Sequence, residues 1–197
     1  MNIVNVGYDS TNYYVIGSGA NRLLVDVGWP GTSGNLLANF RRKGIAVAEI
    51  RYLLATHYHP DHAGLVQELK NMGMRLMVME GQRTAIPQLK QWMKPEMRYL
   101  DIDLRDNTEV ALAESRAFLA KLDIPGEIVA TPGHSDDSVT LVLDSGDAFT
   151  GDLQGETRAD EVDIATVHAS WEKLRAMNVR TIHPGHGHSR SIPRQVS

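Results

Sequence analysis

The sequence predicts a mixed α/β fold in which hairpin strands join parallel ones and helices lie outside. Three observations carry this expectation. Short apolar segments of strand length alternate with longer amphipathic segments. Some neighbouring strands are separated by turns too short for a crossover helix, so a purely parallel sheet is excluded. The composition is globular, with 42% hydrophobic and 22% charged residues over 197 positions, which excludes a disordered, collagenous or coiled-coil chain. The length predicts one domain over 1–197, with a core that needs no disulfide or structural metal to hold it.

Taken in order, Tyr13 to Ile16 and Arg22 to Val27 flank Gly17-Ser18-Gly19-Ala20-Asn21 and read as a hairpin. Thr32 to Lys43 reads as a helix that Thr32 or Ser33 can cap, with Leu36, Leu37 and Phe40 on one face and Gly44 beyond its end. Ile50 to Ala55 reads as a buried strand, His62 to Asn71 as a helix and Arg75 to Met79 as a strand. Residues 82–94 read as a helix with Pro87 in its first turns. Thr108 to Leu122 is a further helix candidate, capped by Asn107. Strands follow at Glu127 to Ala130, Val139 to Asp144 and Ala148 to Thr150, the last two joined through Ser145-Gly146. Asp160 to Met177 reads as a long helix, Val179 to Ile182 as a strand, and 189–197 as a tail.

Charge and targeting narrow the function classes. The formal charge of −4 gives no global attraction to nucleic acid or an anionic membrane, so neither is an expected partner. Cys is absent, which excludes a disulfide framework, a thiolate metal site and a Cys nucleophile. The N-terminus has no basic region followed by a long apolar one, and no stretch approaches the ~18 apolar residues of a membrane span. A cytoplasmic protein is expected.

The eight His residues decide the chemistry. His57-Tyr58-His59-Pro60-Asp61-His62 follows the apolar run Tyr52-Leu53-Leu54-Ala55. In extended chain, residues two apart point the same way, so His57 and His59 can converge on one cation. The chain then turns at Pro60, and Asp61 and His62 present donors from the start of a helix. Imidazole and carboxylate together suit zinc, iron or manganese. Three more sites each end a short apolar run in a Gly-containing turn: Gly133-His134, Gly151-Asp152 and Gly185-His186. Each alone is compatible with an ordinary turn. With the first cluster they supply seven donors, too many for one tetrahedral zinc and enough for two metals with open positions.

The succession His-x-His-x-Asp-His, Gly-His, Gly-Asp, Gly-His resembles the metallo-β-lactamase superfamily of metallohydrolases. The resemblance runs from Leu24-Val25-Asp26-Val27-Gly28 to Pro184-Gly185-His186-Gly187 and fills all seven ligand positions. It implies an αβ/βα sandwich of two mixed sheets flanked by helices, with the site at one sheet edge. It also implies that His57, His59 and His134 hold one metal, that Asp61, His62 and His186 hold a second, and that Asp152 bridges them. Two divalent ions, zinc expected and iron or manganese as alternatives, would lie about 3.5–4 Å apart and share a hydroxide that attacks the substrate. Asp61 is the candidate catalytic residue, orienting that nucleophile or taking its proton. Ligand imidazoles must be neutral, so the rate is expected to fall below about pH 6.5.

Departures from subfamilies shape the substrate expectation. Many zinc β-lactamases are exported and carry Cys at the Asp152 position. Glyoxalase II-type thioesterases append a C-terminal helical region, for which ten residues after Gly187 leave no room. Nucleic-acid branches add basic arms or an inserted domain, and flavo-diiron proteins place Glu at the His59 position. The expected substrate is therefore a small ester, thioester or lactone. Alternatives are a mono-iron persulfide dioxygenase-like oxidoreductase, betrayed by sulfur-dependent oxygen uptake, and a phosphodiesterase or ribonuclease.

Other residues carry two readings each. Asp26 and Thr56 can orient a ligand His, and Asp26 can equally stabilise a turn. His183 reads as structural or as support for a ligand, and His168 as a packing or surface residue. His188 can line the cleft. Asp136 and Asp137 either tune specificity for a cationic or neutral substrate or form the turn. Arg41-Arg42-Lys43 reads as a solvated helix end. Met72, Met74, Met77, Met79, Met93 and Met97 read as core filler, while 82–99 can also supply a lid or a homodimer surface.

Overall fold

The structure, a computed structural model, describes residues 1–156 and 164–192. Two mixed sheets pack face to face with helices outside both, the αβ/βα sandwich the resemblance implies. The first sheet contains β1 (Ile3–Asn5), β2 (Tyr14–Ile16), β3 (Arg22–Val25), β4 (Ile50–Leu54), β5 (Arg75–Met79) and β6 (Thr108–Val110), side by side in chain order. β1, β2 and β3 pair antiparallel, and β3 to β6 run parallel. The second sheet contains β7 (Gly126–Ala130), β8 (Val139–Leu143), β9 (Asp147–Gly151), β10 (Thr181–Pro184) and β11 (Arg190–Ser191). Among the described residues β9 and β10 pair parallel there and the other neighbours antiparallel.

Period-two alternation explains the layers. Leu23 and Val25, Tyr52 and Leu54, and Met77 and Met79 face inward against Val139, Leu141, Leu143 and Phe149 of the second sheet. Their neighbours Leu24, Leu53, Leu76 and Val78 face outward, under Leu36 and Phe40 of α1 (Ser33–Arg42) and under Val66 and Leu69 of α3 (Val66–Asn71). On the far side Val142, Ala148 and Ile182 are covered by Val167, Trp171 and Leu174 of α5 (Ile164–Ala176). Both sheets are thus apolar on both faces, and this is why their strands read as near-continuous hydrophobic runs.

Several expectations need correction. Thr108 to Leu122 is not one helix. Its β-branched start, Thr108–Val110, pairs with Met77–Met79, and the chain becomes helical only in a short 3-10 turn and α4 (Ser115–Ala120). Residues 82–94 form a 3-10 helix over Ile86–Trp92 rather than an α-helix, consistent with Pro87 at its start lacking an N–H. The expected helix at His62 to Asn71 begins earlier, as α2 (Pro60–Ala63), and breaks at Gly64-Leu65 before α3. Gly64 lies against Pro30, leaving no room for a side chain there. Thr32 sits at the start of α1, yet its hydroxyl donates to Trp29 O at 2.6 Å instead of capping the helix. β1 was not anticipated, and β10 starts and ends two residues later than expected. The expected start of the last long helix, 160–163, and the tail residues 193–197 lie outside the described residues, while Arg190–Ser191 of that tail forms β11.

Met74, Met77 and Met79 are core residues, and Met93 packs on the core's edge. Met72 is exposed, so core filling explains part of the Met-rich stretch. Among the described residues no helix is long and apolar enough to cross a membrane.

Candidate metal centre

Strand ends deliver all seven donors to one edge of the sandwich. His57 and His59 follow β4, Asp61 and His62 lie in α2, and His134 lies in the β7–β8 turn. Asp152 immediately follows β9, and His186 comes two residues after β10. Because β4, β9 and β10 all end at this edge, residues far apart in sequence converge without any long loop reaching across.

The donors fall into three overlapping groups whose ligand atoms lie within 4.8 Å of one another: His57, His59 and His134; Asp61, His62 and His186; and His57, His62 and Asp152. In the first, His59 Nδ1 is 3.1 Å from His57 Nε2 and 3.0 Å from His134 Nε2. Nitrogens at about 2.05 Å from a tetrahedral zinc would be about 3.3 Å apart, so this spacing is close to that of a shared ion. In the second, His186 Nε2 is 3.1 Å from Asp61 Oδ2. Asp152 lies between the groups, with Oδ1 3.3 Å from His62 Nε2, and Oδ2 3.3 Å from His186 Nε2 and 3.8 Å from His134 Nε2.

Hydrogen bonds behind the cluster fix which nitrogens face inward. Asp26 is buried, with φ +58°, and its Oδ2 accepts from His62 Nδ1 at 2.8 Å and from the Thr56 hydroxyl at 3.0 Å. Its Oδ1 accepts from Thr56 N at 2.7 Å. With its proton directed to Asp26, the Thr56 hydroxyl accepts from His57 Nδ1 at 3.1 Å. His186 Nδ1 donates to Ser10 O at 2.7 Å. In a neutral ring each of these bonds leaves Nε2 as the lone-pair atom facing the cluster, the tautomer a metal ligand needs. The Asp26 and Thr56 supports anticipated from sequence are both present.

Two atoms test whether a cation fits. His62 Nε2 and Asp152 Oδ1 are buried without a hydrogen-bond partner, a costly state for polar groups unless another species satisfies them. Burial opposes a charge on His62, but Asp26 and Asp152 outweigh it and hold its pKa well above the imidazole range. The pocket therefore carries negative charge that a cation would neutralise. His57 shows the opposite shift: burial first, then the surrounding imidazoles, push its pKa well down and keep it neutral. Carboxylates beside a neutral His57, and a His62 whose cluster-side proton a cation would replace, fit divalent metal ions.

Glycines make the approach possible. A β-carbon on Gly185 would overlap Asp152 Oδ1 and the His62 ring, and Gly151 (φ +52°) lies against the Thr56 side chain.

A profile of the metallo-beta-lactamase superfamily matches residues 6–186. The chain belongs to that superfamily. Among curated relatives of this superfamily member, it is 32% identical over 189 residues to the Beta-lactamase-like protein 2 homolog of Drosophila melanogaster, with 90% of this chain and 58% of the relative covered. It is 28% identical over 187 residues to an Atrochrysone carboxyl ACP thioesterase of Aspergillus fumigatus, with 90% of this chain and 50% of the relative covered. The chain thus spans little more than half the length of these relatives. The solved structure of TTHA1623 in a di-iron-bound form superposes with a TM-score of 0.68 at 23% identity, covering 97% of this chain and 94% of that one. Likeness to that structure speaks to the fold alone.

Other predicted residues separate from the site. His183 lies outside the donor groups. Its Nε2 is 2.9 Å from Asp147 Oδ1, its Nδ1 is 2.9 Å from the Ser189 hydroxyl, and its ring stacks on Phe149. His168 pairs with Glu156 at 3.0 Å on the surface. His188 is exposed. Asp137 is structural in part, its carboxylate accepting from Tyr58 N at 2.8 Å.

Sequence reasoning missed two contributors. The Thr11 hydroxyl donates to Asp61 Oδ2 at 3.0 Å. Gln82, buried, donates to Ala55 O at 3.0 Å and Asp137 O at 3.2 Å, joining the His57 and His134 loops. Neither carries a local motif that could have marked it.

Proposed function

We propose that the chain is a metal-dependent hydrolase whose site holds two divalent cations, zinc being the expected ion, and that it cleaves a small thioester or ester. The observation that carries this reading is the grouping of donors into two triads with Asp152 between them. His57, His59 and His134 would hold one cation, Asp61, His62 and His186 the other, and Asp152 would contribute to both. Such ions would acidify water toward neutrality and polarise the acyl oxygen.

The chain's own groups complete the reaction. Asp61 Oδ2 is engaged by Thr11 and His186, so Oδ1 is the atom that would orient the attacking water and accept its proton. The Asp26–Thr56–His57 and Asp26–His62 hydrogen bonds hold the imidazoles in the required tautomers. A thioester is the first class to test, because one of the relatives is named as a thioesterase.

The test is a panel of a small thioester, oxygen ester, lactone and phosphodiester, run on zinc-loaded protein, chelated protein and Asp61→Asn. The expected result is thioester or ester cleavage that chelation abolishes, zinc restores and Asp61→Asn lowers by about 10²–10⁴-fold. Cleavage of the phosphodiester alone, or sulfur-dependent oxygen uptake by protein holding one iron, would overturn it.

A further inference from the structure

Beside the donor cluster lies a cavity of about 480 Å³ that the proposed chemistry does not itself require. It begins at His59 and His134 and extends along Tyr58, Ala85, Gln88 and Trp92. This size suits one small ligand group. Trp92 ends the 3-10 helix and is 61% exposed. Its ring meets His59 with centroids 5.4 Å apart and planes at 63°, leaving the indole at the mouth of the cavity next to the donor atoms. Among the described residues the carboxylates lining the cavity are Asp136 and Asp137, and Asp137 is engaged by Tyr58 N.

We propose that Trp92 is a specificity-determining residue, and that this cavity receives a non-anionic aromatic acyl group whose carbonyl lies at the donor cluster. This rests on the hydrolase reading above and specifies its substrate class. An exposed indole gives a flat, polarisable face that prefers an aromatic ring to an aliphatic group of similar size. The Asp136 and Asp137 carboxylates on the cavity wall disfavour an anionic ring. The short distance from Trp92 to His59 matches an acyl group whose ring lies one or two bonds from the reacting carbonyl.

Two measurements test this. The first compares kcat/KM for the phenylacetyl and acetyl thioesters of N-acetylcysteamine in the zinc-loaded wild type, Trp92→Ala and Trp92→Phe. The phenylacetyl preference is expected to be about 10-fold or more, to collapse in Trp92→Ala and to be largely retained in Trp92→Phe. The second uses metal-free protein and saturation-transfer NMR with phenylacetamide and cyclohexylacetamide, neither of which needs to be cleaved. Phenylacetamide should bind more tightly, and Trp92→Ala should remove the difference. An unchanged preference in Trp92→Ala, or equal binding of the two amides by the wild type, overturns the assignment. If no thioester is cleaved but the aromatic amide still binds through Trp92, the reaction is wrong and the aromatic subsite stands.

Discussion

At the residue scale, Asp26 supports two of the proposed ligands at once. One buried carboxylate orients His62 directly and His57 through Thr56. Asp26→Asn keeps the shape but cannot accept both donors in the same way, so zinc affinity should fall by about 10–100-fold. Competition with a chromogenic chelator measures this, and unchanged affinity would contradict the supporting role. Gly185 makes a second prediction. Gly185→Ala drives a β-carbon into Asp152 Oδ1 and the His62 ring, so metal binding should be lost while far-UV circular dichroism is retained. Asp26 could not be fully read from sequence, because an Asp in a turn and an Asp behind a ligand look alike. Only folding brings His62 Nδ1 to 2.8 Å from it.

At the element scale, the site is a set of strand ends whose loops must be tied to one another. Gln82 does this across the His57 and His134 loops and also accepts from Met79 N at 3.2 Å. Gln82→Ala leaves several buried groups unpaired and should destabilise the protein by about 1–3 kcal/mol in urea unfolding. A cost below a few tenths of a kcal/mol would show that water replaces the side chain. The elements legible in the sequence were those with local signatures: the Gly-bounded hairpin of β2 and β3, the apolar runs of β4, β5 and β8, and the ligand cluster packed into six residues after β4. His134, Asp152 and His186 were legible because each follows such a run in a glycine turn. β6 was not, because a three-residue strand is defined by its partner Met77–Met79, and the amphipathic pattern after it suggested a longer helix. Thr11 and Gln82 were invisible for the same reason, since their roles depend on residues up to 55 positions away.

At the scale of the whole molecule, two sheets with buried faces supply the rigidity that the donor edge needs. Asp147 and His183 tie β9 to β10 away from that edge, at 2.9 Å. Burial raises the Asp147 pKa, but hydrogen bonds from Ser145 and His183 outweigh it, and the net shift is downward. A depressed carboxylate stabilises the fold above its unfolded pKa of about 3.9 and loses that contribution as pH falls. Asp147→Asn should therefore lose less stability than the wild type below about pH 4 in acid titrations followed by circular dichroism. Equal acid sensitivity would show that Asp147 makes no such contribution. Cations bound at the donor edge should likewise stabilise the folded state, so chelation should lower Tm and zinc should restore it. The most direct measurement is metal content per chain after zinc loading and desalting, for the wild type and for Asp152→Ala. A binuclear centre should hold about two zinc ions per wild-type chain, falling toward one when Asp152 is removed. One ion per chain in both proteins, or one tightly held iron in the native protein, would contradict it.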